Sequence, residues 1–244
     1  MRRACMAGTT PETAAPGTVR QKTLVMLRHG EADGYASIDA RLTRRGRMQA
    51  RGVYAELARF GVAASIRSAV CSPLSRSLET LRLVFEGHAP LLASSHEAST
   101  VESTPSAICV HVTPLARERL SSWGDVGRDP AALLRDASLA LDAEVFGPEL
   151  ARLPPQWWSG ENMREGRTED AAAVASVDRP RHPSVEPPPA FATRVEELRA
   201  FLASLPHDPI LVVGHSVLFA AFDRRLAGLS HCGLRTISLY LEDG

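Results

Sequence analysis

The chain has 244 residues, 44% of them hydrophobic, and its 28 Lys and Arg balance 28 Asp and Glu. That length suits one α/β domain with a sizeable core and is short for two. A formal net charge of zero argues against bulk attraction to nucleic acid or an anionic membrane, while leaving room for a locally basic pocket.

No apolar run approaches the roughly 18 residues a membrane span needs, so neither a membrane nor a nucleic acid is expected as a partner. The four cysteines, Cys5, Cys71, Cys109 and Cys232, form no C-x-x-C pair, so neither zinc nor a redox dithiol is indicated. Cys71 and Cys109 lie in apolar runs and read as small buried thiols. A reducing, cytoplasmic setting follows. Nothing in the sequence sets an oligomeric state.

Residues 1–20 are small and polar, with Pro11, Pro16 and Gly17, and predict a disordered tail ahead of one domain over 21–244. Leu24 to Leu27 is a continuous apolar run, as a buried parallel strand requires. Thr43 reads as an N-cap. Ala50, Val53, Tyr54, Leu57 and Phe60 follow at helical spacing, and Gly61 can close that helix. Ile66 to Cys71 predicts a second strand and Leu74 to Phe85 a second helix.

Residues 86–107 are rich in Ser, Ala, Thr and Pro and predict a long loop. Ile108 to Val112 is a third strand, and Asp129-Pro130-Ala131 starts a helix. Residues 159–189 predict a second long, mobile surface loop. A helix over Phe191 to Leu205, a strand over Ile210 to Val213, a helix over Val217 to Leu226 and an edge strand over Thr236 to Leu241 complete the chain. Strands alternating with helices predict a three-layer α/β/α sandwich with a largely parallel central sheet.

In such a sheet, sites form beyond the carboxyl ends of the strands. Four of those ends carry reactive groups: Arg28 and His29 after the first, Arg76 after the second, Glu118 after the third and His215 after the last. Arginine presents a planar fork that matches phosphate oxygens. A neutral imidazole can attack phosphorus and become a phosphohistidine, and nearby guanidinium groups keep it neutral. A second histidine can stabilise the oxygens in transfer, and a carboxylic acid can protonate the leaving alkoxide. The arginines already supply positive charge, so this chemistry calls for no metal or other cofactor.

These segments resemble a known family. Leu27-Arg28-His29-Gly30-Glu31 matches the R-H-G-E signature of the histidine phosphatase superfamily, in its phosphoglycerate mutase-like branch. Asp39 to Ala50 resembles the D-x-x-L-T-x-x-G-x-x-Q-A stretch that follows it. Ser72-Pro73-Leu74-Ser75-Arg76-Ser77-Leu78-Glu79-Thr80 resembles the S-P-L-x-R-A-x-x-T segment, whose arginine binds phosphate. Leu115-Ala116-Arg117-Glu118 is similar to the proton-donor segment, and Val212-Val213-Gly214-His215-Ser216 to the segment of the second histidine.

The resemblance implies a phosphoglycerate mutase-like fold, a phosphohistidine on His29, catalytic roles for His29, Glu118 and His215, and phosphate binding by Arg28, Arg76 and His215. The implied substrate is a small phosphorylated molecule or a phosphoprotein. The mutases carry Asn where this chain has Tyr35. After Glu118, Arg119 to Gly127 lacks the basic and aromatic pattern with which mutases hold a bisphosphate.

Phosphomonoester hydrolysis is therefore favoured over mutase-type phosphotransfer. A non-catalytic phospho-ligand binding protein is the further alternative. An esterase reading of Gly214-His215-Ser216-Val217-Leu218 lacks the second glycine of the nucleophile elbow, and crowds Asp223 and His231 too close behind it. His88, His96, His111, His182, His207 and His231 lie in no motif and are assigned structural or solvent roles. Trp157 and Trp158 are expected in the core, with a pocket wall as the alternative.

Overall fold

Six short apolar runs pair into one sheet in the computed structural model, which describes residues 20–34, 37–88, 92–95, 107–159 and 185–241. The strands are β1 (Arg20–Arg28), β2 (Ser68–Cys71), β3 (Leu92–Ser94), β4 (Ile108–Val112), β5 (Ile210–Gly214) and β6 (Leu234–Leu241). Their order across the sheet is β3-β4-β2-β5-β1-β6. The first five are mutually parallel, and β6 runs antiparallel on the β1 edge, with Leu24 opposite Ile237.

Every residue of β2 and β5 is buried, as expected of strands covered on both faces. Period-two alternation sends Val25, Leu27, Ala69, Cys71, Leu211 and Val213 into one core and Leu24, Met26, Val70, Ile210 and Val212 into the other. The first core is closed by α1 (Arg44–Arg59), α2 (Ser75–Phe85), α3 (Pro130–Arg135) and α4 (Ala143–Ala151). The second is closed by α5 (Pro188–Ser204) and α6 (Ser216–Phe222). The expected α/β/α layering is therefore present.

Local signals place the helices well. Thr43 Oγ1 accepts from the Gly46 amide at 3.0 Å, and Asp129 caps α3 with Pro130 as its first residue. Gly61, just past α1, has φ +70°, the left-handed conformation that favours glycine.

Some expectations need correction. Phe60 is not on the buried face of α1; it is the C-cap residue and exposed. The 86–107 loop contains β3, which at three residues is too short a run to announce itself. Helix α4, unforeseen, packs Val145, Phe146 and Leu150 into the first core. The 159–189 loop ends early: α5 begins at Pro188 and Glu186 is buried. The last predicted helix stops at Phe222, followed by a 3-10 turn over Arg224–Leu226. Most of the remainder of both loops, nearly all of the predicted tail, and Cys5, Tyr35, His96 and His182 lie outside the described residues. Among the described residues no helix is long and apolar enough to cross a membrane.

Candidate active site

Strands β4, β2, β5 and β1 are consecutive neighbours in the sheet, so their four carboxyl ends open side by side. Backbone bonds stitch the exits together. The amide of Thr113 donates to Cys71, that of Ser72 to Val213 and that of His29 to Gly214, at 3.0, 3.2 and 3.0 Å. The loop after β1 sits backbone-to-backbone on α1. A Cβ on Gly30 would lie 2.6 Å from the Gly46 carbonyl oxygen, and one on Gly46 would lie 2.0 Å from that of Glu31. The Gly30 amide donates to Thr80 Oγ1 at 3.1 Å, and Thr80 donates to the Arg76 carbonyl at 2.6 Å. The signature loop is thereby locked to the helix that carries Arg76.

His29 is buried, and its Nδ1 lies 2.7 Å from the Gly30 carbonyl. A carbonyl only accepts, so Nδ1 carries the proton and Nε2 keeps its lone pair. Burial and then the Arg76 guanidinium hold the imidazole well below its usual pKa, so it is neutral. The His215 ring centroid lies 5.0 Å away, on a fully buried side chain. His215 Nε2 contacts Ser72 Oγ at 2.9 Å and Ser77 Oγ at 3.3 Å. Burial and then Arg76 lower its pKa as well.

Arg76 is buried and tied by one Nη to the Gly124 carbonyl and by the other to Asp125 Oδ1 at 2.9 Å. Asp125 Oδ2 in turn accepts from the amides and hydroxyls of Ser121 and Ser122. Arg28 donates to the Leu229 carbonyl at 2.8 Å and to His231 Nε2 at 3.1 Å. Two buried guanidinium donors near the two histidines, Arg28 Nε and Arg76 Nε, and the ring nitrogen His215 Nδ1 have no partner among the described residues. Buried polar groups are ordinarily satisfied, so this cluster suits an anionic guest.

Glu118 is buried behind the 3-10 turn Pro114–Ala116. Its carboxylate accepts from the amides of Leu218 and Arg119 on Oε1, both at 3.0 Å, and of Val217 on Oε2 at 3.1 Å. Burial raises its pKa, partly opposed by those amide bonds and by Arg76.

All five residues singled out in the sequence thus lie at the carboxyl end of the sheet, at or just beyond adjoining strand exits. The sequence reading missed His231. Its ring centroid is 5.7 Å from that of His29. No motif marks it, but an antiparallel β1–β6 pair brings the residues before β6 beside those after β1. Asp223 is engaged by Arg225 and His231 by Arg28, so the contacts of a serine hydrolase triad on Ser216 are not formed. Trp157 packs against Gly127 and donates Nε1 to the Arg128 carbonyl at 3.0 Å, which is the core role. His88 stacks on Tyr54 and His207 contacts Ser68, both structural.

Residues 24–98 match the model of the histidine phosphatase superfamily, branch 1. Over these residues the resemblance read from the motifs is borne out. The matched segment holds Arg28, His29 and Arg76, whereas Glu118 and His215 lie beyond it. No curated protein matches the chain. Three solved structures are similar. A mycobacterial hydrolase is 23% identical with a TM-score of 0.49, covering 92% of this chain and 85% of its own. A mycobacterial glucosyl-3-phosphoglycerate phosphatase is 22% identical with a TM-score of 0.48, covering 91% and 97%. An alpha-ribazole phosphatase from Shigella flexneri is 21% identical with a TM-score of 0.43, covering 85% and 81%. At these identities and scores the likenesses carry no argument about activity.

Proposed function

We propose that the protein hydrolyses phosphomonoesters through a phosphohistidine on His29, without metal or other cofactor. The observation that carries this reading is the fixed tautomer of His29. Its Nε2 lone pair is the free end of a neutral imidazole beside Arg76, Arg28 and a second histidine.

Nε2 attacks phosphorus, the N–P bond forms, and the bond to the ester oxygen breaks. Protonated Glu118 delivers its proton to the leaving alkoxide. The positive charge gained by the His29 ring is stabilised by the Gly30 carbonyl on Nδ1–H. Arg28, Arg76 and His215 hold the phosphoryl oxygens as their charge redistributes. In the second half, the Glu118 carboxylate takes a proton from water. The new O–P bond forms, the N–P bond breaks, and inorganic phosphate leaves with His29 neutral again. Positive charge comes from the guanidinium groups, so a divalent ion has no required part.

The substrate is a small phosphorylated molecule or a phosphoprotein. The test is turnover of phosphosugars, phosphoglycerates, nucleotides and phosphopeptides in EDTA, with trapping of an acid-labile, base-stable phosphoenzyme. Phosphate release with a trapped phosphoenzyme supports hydrolysis. Transfer between phosphoglycerates without release identifies a mutase, binding without turnover a phospho-ligand module. Loss in EDTA restored by magnesium overturns the metal-free mechanism.

A further inference from the structure

Behind Glu118 lies a buried charge cluster that the mechanism above does not use. Glu186 sits just before α5 and Arg194 within it, and Arg117 precedes Glu118 in the chain. Arg117 forks onto Glu186 with Nη1 to Oε2 at 2.8 Å and Nη2 to Oε1 at 2.9 Å. Arg194 forks onto the same carboxylate with Nε to Oε1 at 2.9 Å and Nη2 to Oε2 at 2.7 Å. All three side chains are at most 8% exposed. Burial alone would raise the Glu186 carboxyl, but the hydrogen bonds from Arg194 and Arg117 overcome it and hold it at about 2. Glu186 is therefore an anion across the working pH range.

The remaining N–H groups are directed at the chain around Glu118. Arg194 Nη1 donates to the Leu115 and Arg117 carbonyls at 2.9 and 2.8 Å. Arg194 Nη2 and Arg117 Nη1 both reach the Glu118 carbonyl, at 3.4 and 3.2 Å. The Glu186 amide donates to Leu120 at 2.9 Å, and Arg119 Nε donates to the Glu186 carbonyl at 3.1 Å. Glu118 is thus held twice: its backbone by this cluster, its carboxylate by the first amides of α6. Two guanidinium groups against one carboxylate also leave one positive charge uncompensated.

We infer that the Glu186–Arg117–Arg194 cluster is the positioning device for Glu118, fixing its segment and setting one net positive charge beside it. This rests on the reading of Glu118 as the proton donor. A device whose only task was to staple two segments would need one arginine on one carboxylate. A buried pair is weak evidence of stability in any case, because desolvation offsets its attraction. Outside the cluster, the charged groups that face Glu118 are Arg76 on α2, Asp125 in the 3-10 turn Trp123–Asp125 and the neighbouring Arg119, and the variants below leave all three unchanged.

The test is the pH profile of kcat/KM on an alkyl phosphate, whose basic limb reports loss of the Glu118 proton. Glu186→Gln raises the cluster's net charge from one to two, favours the Glu118 carboxylate, and moves that limb down by about one pH unit. Arg194→Met lowers the net charge to zero and moves it up. Arg194→Lys keeps the charge but loses the fork, so the rate falls while the limb stays. The corresponding limb on an aryl phosphate, which needs no proton, does not follow these shifts.

Folding of each variant is checked by thermal melting, and if Glu186→Gln does not fold the two Arg194 variants decide between them. Rate losses without opposite limb shifts overturn the inference and leave a structural staple. Glu118→Gln is the control: if it fails to separate alkyl from aryl substrates, the proton-donor reading itself is wrong, whatever the cluster variants do.

Discussion

Glu118→Gln tests the chemistry most directly, because glutamine keeps the shape and removes the proton. The Leu218 and Arg119 amides share Oε1, so an amide oxygen placed there preserves two of the three bonds. The amide nitrogen then faces the Val217 N–H, donor against donor. That mismatch costs about 1–2 kcal/mol of stability. Removal of an ionisable group whose charged form burial disfavours offsets part of it. The fold therefore survives, with a melting temperature lowered by a few degrees at most.

Catalysis behaves differently. General acid help is worth roughly 10²- to 10⁴-fold, or about 3–5 kcal/mol of barrier, when the leaving group is an alkoxide. A nitrophenolate leaves without a proton, so its loss stays within about tenfold. The assay is kcat/KM for wild type and variant on glycerol phosphate and on p-nitrophenyl phosphate. Equal losses on the two would show that Glu118 holds structure or substrate and that the proton comes from elsewhere. Asp125 is a poor substitute, since it is held in a buried ion pair with the phosphate-binding candidate Arg76.

His29→Ala abolishes turnover and phosphoenzyme formation while the protein stays folded, because only the bond to Gly30 and some ring packing are lost; a folded variant with near wild-type rate removes His29 from the mechanism. His29 and His215 are held below their unfolded pKa of about 6.5, so the unfolded chain takes up protons first as pH falls. Their contribution to stability is complete above that pH and is lost below it, by about 1.4 kcal/mol per pH unit for each histidine until its folded pKa is reached. Denaturant melts between pH 7 and 5 measure that slope, and His29→Ala removes one histidine's share; an unchanged slope in the variant contradicts the assignment. Gly46→Ala puts a Cβ 2.0 Å from the Glu31 carbonyl, so it lowers stability by about 1–3 kcal/mol or more and displaces the signature loop. A variant with wild-type melting and activity would show that this backbone contact yields at no cost.

Much of the architecture was legible because it rests on local physics. Apolar runs such as Ile210 to Val213 declare a strand buried on both faces, Thr43 and Asp129 announce helix starts, and reactive residues directly after strands fall at the open end of a parallel sheet. The five residues chosen as the candidate site could be read this way, from four separate segments. What stayed hidden depends on pairing between distant segments. β3 is a strand because β4 offers it an edge, not because Leu92–Ser94 demands one. His231 lies beside His29 because β6 runs back along β1. Glu186, read as part of a mobile loop, is buried because Arg117 and Arg194 arrive from two other elements to receive its charge. The sequence by itself determined which groups stand at the strand ends. The tertiary structure alone decided the proton on His29 Nδ1, the engagement of Arg76 by Asp125, and the charges gathered behind Glu118, since each is set by a partner that only folding brings within hydrogen-bond reach.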